Sequence, residues 1–151
     1  MIIREINTSS KDTNFKLYKS IVDSGKLFVI EPDQATNNSF NIKKVIDLNN
    51  IQKILKFKDL PLNWNGNDAE PFDKSFVKMV ANIVSILELQ PEVFPTARQS
   101  VQLEYEKENG DYLEFEIFEN QIIMYQEKGG KEKEKTVNKN ELNKIIRDFY
   151  A

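Results

Sequence analysis

Between Val101 and Ile117 the apolar residues occupy every second position, and the parity of that alternation dictates how the chain turns back on itself. Val101, Leu103 and Tyr105 alternate with Gln102, Glu104 and Glu106, and Leu113, Phe115 and Ile117 alternate with Glu114 and Glu116. Successive side chains of a strand point to opposite faces, so a period of two marks strands with one buried face. Glu108-Asn109-Gly110-Asp111 supplies the turn. A two-residue Asn-Gly turn would set Tyr105 against Glu114 and Leu103 against Glu116, mixing the faces. A three-residue loop, Glu108-Asn109-Gly110 with the glycine left-handed, sets Tyr105 against Leu113, Leu103 against Phe115 and Val101 against Ile117. The second register is the one predicted. On the other face it places Glu104 directly opposite Glu114, with Glu106 and Glu116 diagonal to them. Like charges so placed cost a fraction of about 1 kcal/mol per pair, unless cations or a partner relieve them.

A third strand is predicted from Gln121 to Lys128, after a turn near Glu119-Asn120. It offers Ile122 and Met124 to the core and sets Ile123 and Tyr125 beside the acids. Gly129-Gly130 then leads into the alternating run Lys131-Glu132-Lys133-Glu134-Lys135, read as a solvated edge strand or loop. Asn138 with Glu141 resembles a capping box, and Leu142, Ile145, Ile146 and Phe149 form the stripe of a C-terminal helix.

Upstream, the stretch from Leu60 to Pro95 holds the only Trp and four of the five Pro residues. Pro61 stops any helix before it, and Asn65-Gly66 allows a positive φ beside Trp64. Trp64 reads as a plug of the core, with Asn63, Asn65, Asn67 and Asp68 around its indole N–H; an exposed binding Trp is the sharper alternative. Pro71 bars helix before it. Asp73 is an N-cap, with Phe72 and Val77 spaced as a hydrophobic staple. From Asp73 to Leu89 the residues Phe76, Val80, Ile83, Val84 and Leu87 recur at helical steps, which predicts the central helix.

The run Leu60 to Pro71, with Trp64-Asn65-Gly66 and Ala69-Glu70-Pro71, resembles a motif of small prokaryotic proteins found on phage or mobile DNA. That pattern is roughly L-P-x-x-W-[D/N]-G-x-x-A-x-P, followed by a helix, a Pro-x-x-x-Pro run and a sheet. The likeness covers about the last three-fifths of the chain. It departs where the family has Asp-Gly after the second Pro and this chain has Ala97-Arg98-Gln99, and where an aromatic-acid pair reads Tyr105-Glu106. The resemblance implies a fold and carries no activity with it.

The N-terminal third is read from shorter signals. Ile2, Ile3 and Ile6 predict a strand, followed by a polar stretch from Asn7 to Asn14. The spacing of Phe15, Leu17, Tyr18, Ile21 and Val22 predicts a helix ended by Ser24-Gly25. Leu27 to Ile30 predicts a strand stopped by Pro32, residues 33–39 a loop, and Phe40 to Ile46 a strand. Asp47 can cap a helix through Leu48, Ile51, Ile54, Leu55 and Phe57. At 151 residues the chain suits a single α+β domain: an antiparallel meander of three or four strands, packed on one face by the central and C-terminal helices, with an additional mixed N-terminal segment.

Composition narrows the chemistry. The chain has no His and no Cys, which removes triad hydrolysis, thiolate chemistry, His-based acid–base work and the common zinc sites. A net charge of −3 with only Arg4, Arg98 and Arg147 as arginines makes direct nucleic-acid binding a weak reading. No apolar run reaches the ~20 residues that cross a membrane, and a cytoplasmic location is expected. No catalytic residue, cofactor or metal is assigned. The expected function is a non-enzymatic interaction protein, in its specific form an antitoxin, immunity or anti-defence protein. It presents Glu104, Glu106, Glu114, Glu116, Ile123 and Tyr125 to a partner protein with a basic surface, while Trp64, Gly66, Pro71 and Asp73 hold the structure. The bland alternative is a merely solvated face. A second alternative is a metal-dependent hydrolase or nuclease holding Mg²⁺ or Mn²⁺ on the four glutamates. Arg98 is expected to pair with a nearby carboxylate.

Overall fold

The computed structural model describes residues 2–5, 19–23, 26–32 and 40–151, with side chains from residue 48 onward. Two compact units comprise it, residues 1–49 and 50–151. The first contains a four-stranded antiparallel sheet in chain order, β1 (Ile2–Glu5), β2 (Lys19–Asp23), β3 (Lys26–Pro32) and β4 (Phe40–Asp47). β3 and β4 lie where the β-favouring runs put them, with an irregularity between Val29 and Ile30. The helix expected through Val22 does not form over residues 19–22. That segment is β2, with Ile21 opposite Ile3 on one side and Phe28 on the other. Pairing on both sides outweighs a short helical spacing, and the β-branched Ile21 and Val22 suit a pleated ladder. Ile6, the polar stretch 7–14, residues 15–18, Ser24-Gly25 and the loop 33–39 lie outside the described residues.

Helix α1 (Leu48–Leu55) leads into the second unit, and a 3₁₀ turn at Phe57–Asp59 follows before Pro61. Ile54 and Phe57 are buried there, as their spacing requires. The loop after Pro61 is held by its own asparagines. Asn63 Oδ1 accepts from Asp68 N at 2.8 Å, and Asn65 Oδ1 accepts from Asn67 N and Ala69 N at 2.9 and 3.2 Å. Gly66 has φ +76°, and Asn63 and Asp68 also adopt the left-handed region that Asn and Asp tolerate. Trp64 is half-buried against Phe72, with ring centroids 6.2 Å apart. Its indole N–H donates to the Glu70 carbonyl at 3.3 Å rather than to a neighbouring carboxamide.

Helix α2 (Lys74–Ser85) starts as predicted, Asp73 accepting from the N–H groups of Ser75 and Phe76 and from the Ser75 hydroxyl. It stops short of Leu89. Asn143, far along the chain, donates to Ile86 O and accepts from Glu88 N, both at 2.9 Å, and Gln90 donates to Val84 O at 3.2 Å. These side chains satisfy the carbonyls and N–H groups that a further helical turn would have used.

The sheet of this unit has five antiparallel strands in chain order: β5 (Glu92–Thr96), β6 (Ser100–Glu106), β7 (Tyr112–Ile117), β8 (Ile122–Lys128) and β9 (Lys131–Val137). Three or four were expected. The addition is β5, in the Pro91–Pro95 run to which no strand was assigned from sequence; an edge strand tolerates Pro95 because one side of it needs no ladder donor. The parity-derived register holds: Tyr105 faces Leu113, Leu103 faces Phe115 and Val101 faces Ile117. Lys107 and Asp111 close a three-residue loop, and Gly110 has φ +84°.

Val101, Leu103, Leu113, Phe115, Ile117 and Met124 form the sheet side of the core, against Phe76, Val77, Val80 and Val84 of α2. Leu142, Ile146 and Phe149 of α3 (Leu142–Tyr150) join the same cluster. The Asn138–Glu141 capping box is formed, with Asn138 N donating to Glu141 Oε2 at 2.8 Å, and that N–H holds the Glu141 acid below its ordinary value. Lys128 Nζ meets the carbonyls of Asp148 and Phe149 at 3.3 Å, a cation at the negative end of α3.

Candidate functional site

With the apolar positions of the sheet turned to the helices, the pleat sends every other residue outward. Following the register across the strands, one outward row runs Glu92, Glu104, Glu114, Tyr125, Glu134 and spans all five strands. The row beside it runs Glu106, Tyr112, Glu127, Glu132, and the next on the opposite side runs Phe94, Gln102, Glu116, Ile123, Thr136. Neighbouring members of a row stand about 4.8 Å apart and rows are roughly 7 Å apart. The run after Gly130 is sorted by the same pleat. Lys131, Lys133 and Lys135 share the face of Val137, which is the helix side, and Glu132 and Glu134 join the outer face. No outward position in these rows carries Lys or Arg.

The structure thus brings Glu104, Glu114 and Tyr125 together in the central row, with Ile123 half-buried beside them. Glu106 is exposed at the head of the adjoining row. Glu116 is withdrawn: it is 7% exposed, accepts from the Ser100 hydroxyl at 2.6 Å, and lies 3.3 Å from Arg98 Nη1. The Arg98 guanidinium in turn covers the Phe118 ring at 5.3 Å. Arg98 therefore has the carboxylate partner expected of it, and the charge of Glu116 is compensated locally.

Glu114 is held firmly. Gln102 Nε2 donates to one of its oxygens at 3.0 Å and the Tyr112 hydroxyl to the other at 2.8 Å. Glu104 is left worse off, since the one hydroxyl proton of Tyr112 cannot serve both carboxylates. Burial, followed by the charges of Glu114, Glu92 and Glu106, pushes the Glu104 acid above its ordinary value, against the pull of the nearby Tyr112 hydroxyl. Burial and then the Glu114 carboxylate push the Tyr112 phenol far upward. Partial burial, then Glu132 and Glu127, raise Tyr125 in the same direction. The rings of Tyr112 and Tyr125 lie 6.3 Å apart, an aromatic patch set among the acids.

Sequence reading missed Glu92, Glu127, Glu132 and Glu134. For Glu132 and Glu134 the signal was available in the alternation of Lys131 to Lys135, which a strand must split by sign. These carboxylates form ladders rather than a cluster, and among the described residues no three acidic groups converge as a metal site. A concave surface among the described residues lies elsewhere. A groove of about 1100 Å³ between α2 and the turns at Phe118 and Asn138 is lined by none of the six predicted site residues.

Compared with known protein families, curated proteins and solved structures, the chain matches none. Among the described residues, no helix is long and apolar enough to cross a membrane.

Proposed function

We propose that this protein is a non-enzymatic interaction module whose outer sheet face docks on a basic surface of a partner protein. The observation that carries the reading is the unbroken row Glu92–Glu104–Glu114, in which each carboxylate directly opposes the next. A second like-charge pair, Glu127 opposite Glu132, lies one row away. A face that served only solubility would intersperse both signs and lose nothing by it; this one keeps repulsions that a cationic partner would relieve. Lysines and arginines of such a partner would meet the glutamates, and Tyr112 and Tyr125 would supply rigid contact area. A nucleic-acid-binding or catalytic groove is the basic surface such a face would mask, which gives the antitoxin, immunity or anti-defence reading its physical content.

A tagged pull-down from the native cell tests this, comparing the wild-type chain with the combined Glu104→Gln, Glu114→Gln, Tyr125→Ala variant. One stoichiometric basic partner, lost with the variant while circular dichroism stays unchanged, is the expected result. Absence of any such partner, together with Mn²⁺ binding through the same carboxylates, would replace this reading with the metal-dependent hydrolase.

A further inference from the structure

The two edges of the five-stranded sheet are built differently. β5 has five residues and carries Pro95, whose nitrogen has no hydrogen to donate. α1 flanks that edge, with Asn50 Nδ2 donating to Pro91 O at 2.8 Å and Lys53 Nζ lying 5.0 Å from the Phe94 ring centroid. β9 has seven residues and no proline, residues 131–136 are all exposed, and it ends the strand order of its sheet. The two-residue turn at Gly129-Gly130 makes Lys128–Lys131 a hydrogen-bonded pair. Alternation then leaves the backbone groups of Glu132, Glu134 and Thr136 facing away from β8. An uninterrupted edge of this kind can accept another strand.

Charge decides which strand. Two folded copies joined through β9 about a two-fold axis would run antiparallel with their faces kept on the same sides. Glutamate would then meet glutamate and lysine would meet lysine in every charged cross-strand pair. The fold fixes the faces of a second copy, so it cannot slip by one residue to escape this. A strand of opposite phase is matched at each position.

We propose that β9 is a strand-addition site for an extended segment of a partner protein that alternates basic and acidic residues. Its basic side chains lie over the outer face beside Glu132 and Glu134, and its acidic ones oppose Lys131, Lys133 and Lys135. The basic character of the partner rests on the reading of the outer face given above; the edge chemistry does not.

The test uses the full chain, isotope-labelled, and three blocked nine-residue peptides alternating Lys/Glu, Lys/Thr and Glu/Thr. The Lys/Glu peptide is expected to shift the amide resonances of residues 131–137 and to bind at least about tenfold more tightly than either other peptide. Added salt weakens it, as a charge-matched ladder requires. Thr136→Pro, which removes an outward N–H and no charge, abolishes the binding while the remaining amide spectrum reports an intact fold. Equal affinity for the three peptides, shifts confined to residues outside β9, or undiminished binding by Thr136→Pro would overturn the proposal. So would self-association of the folded chain that Thr136→Pro removes. If the peptide binds at β9 but the Glu104, Glu114 and Tyr125 replacements leave partner capture unchanged, the outer-face reading alone falls.

Discussion

Neutralising Glu104 should stabilise the fold, and the size of the gain can be worked from the register. Glu104 is the middle carboxylate of its row, opposing Glu92 on β5 and Glu114 on β7. Opposed Cβ atoms lie about 5 Å apart, so the charges sit roughly 6 Å apart. Coulomb's law in water then gives about 0.7 kcal/mol per pair, and salt reduces it. Glu104→Gln relieves two such pairs together with part of a desolvation cost, for an expected gain of about 1 kcal/mol at pH 7. Glu92→Gln relieves one pair and should gain about half as much. Glu114→Gln should gain nothing or lose stability, because its carboxylate accepts from both Tyr112 and Gln102. The pH dependence has a definite sign. The folded-state acid of Glu104 is raised, so its contribution is most favourable below the unfolded value of about 4.3 and is lost as pH rises through the folded value. The advantage of the variant therefore exists at pH 7 and disappears below about pH 4. Urea unfolding at pH 7 and pH 3.5, at low and high salt, measures it. A Glu104→Gln variant that is less stable at pH 7, or whose gain is indifferent to pH and salt, would refute the reasoning.

Arg98→Ala should cost about 1–2 kcal/mol, because it leaves the buried Glu116 carboxylate with Ser100 as its donor and no cation; the exposure of Arg98 keeps the figure below that of a fully buried pair. Adding Glu116→Gln should recover most of that loss, and a double-mutant cycle by urea unfolding checks the coupling. Gly110→Ala should cost about 1–2 kcal/mol from left-handed backbone strain alone, since a Cβ there would meet nothing within 4 Å. Gly110→Asn should cost measurably less, as read from the same unfolding curves.

Much of the second unit was legible because its signals are local or concern parity. The β6–β7 register followed from counting which residues must share a face, and the Asp73 cap and the Asn138–Glu141 box followed from side chains within three residues of the groups they satisfy. Failures occurred where a distant partner decides. The segment 19–22 has a helical spacing too short to prevail over two flanking strands. The run at Pro91–Pro95 carries no strand expectation until β6 is placed beside it as a pairing partner. Of the site, Glu104 and Glu114 were found as an opposed pair, whereas Glu92 could not be added without knowing that β5 exists.

The sequence by itself determined that the second unit passes from helical to strand periodicity, which sheet face is apolar, and that two glutamates must confront each other, because side-chain direction in a strand follows residue parity. Only the tertiary structure decided that Asn143 ends α2, that Arg98 neutralises Glu116, and that Glu92 of β5 joins the row of Glu104 and Glu114. Each of those outcomes depends on groups brought together from separate strands or helices, and no spacing within one segment encodes which distant group will arrive.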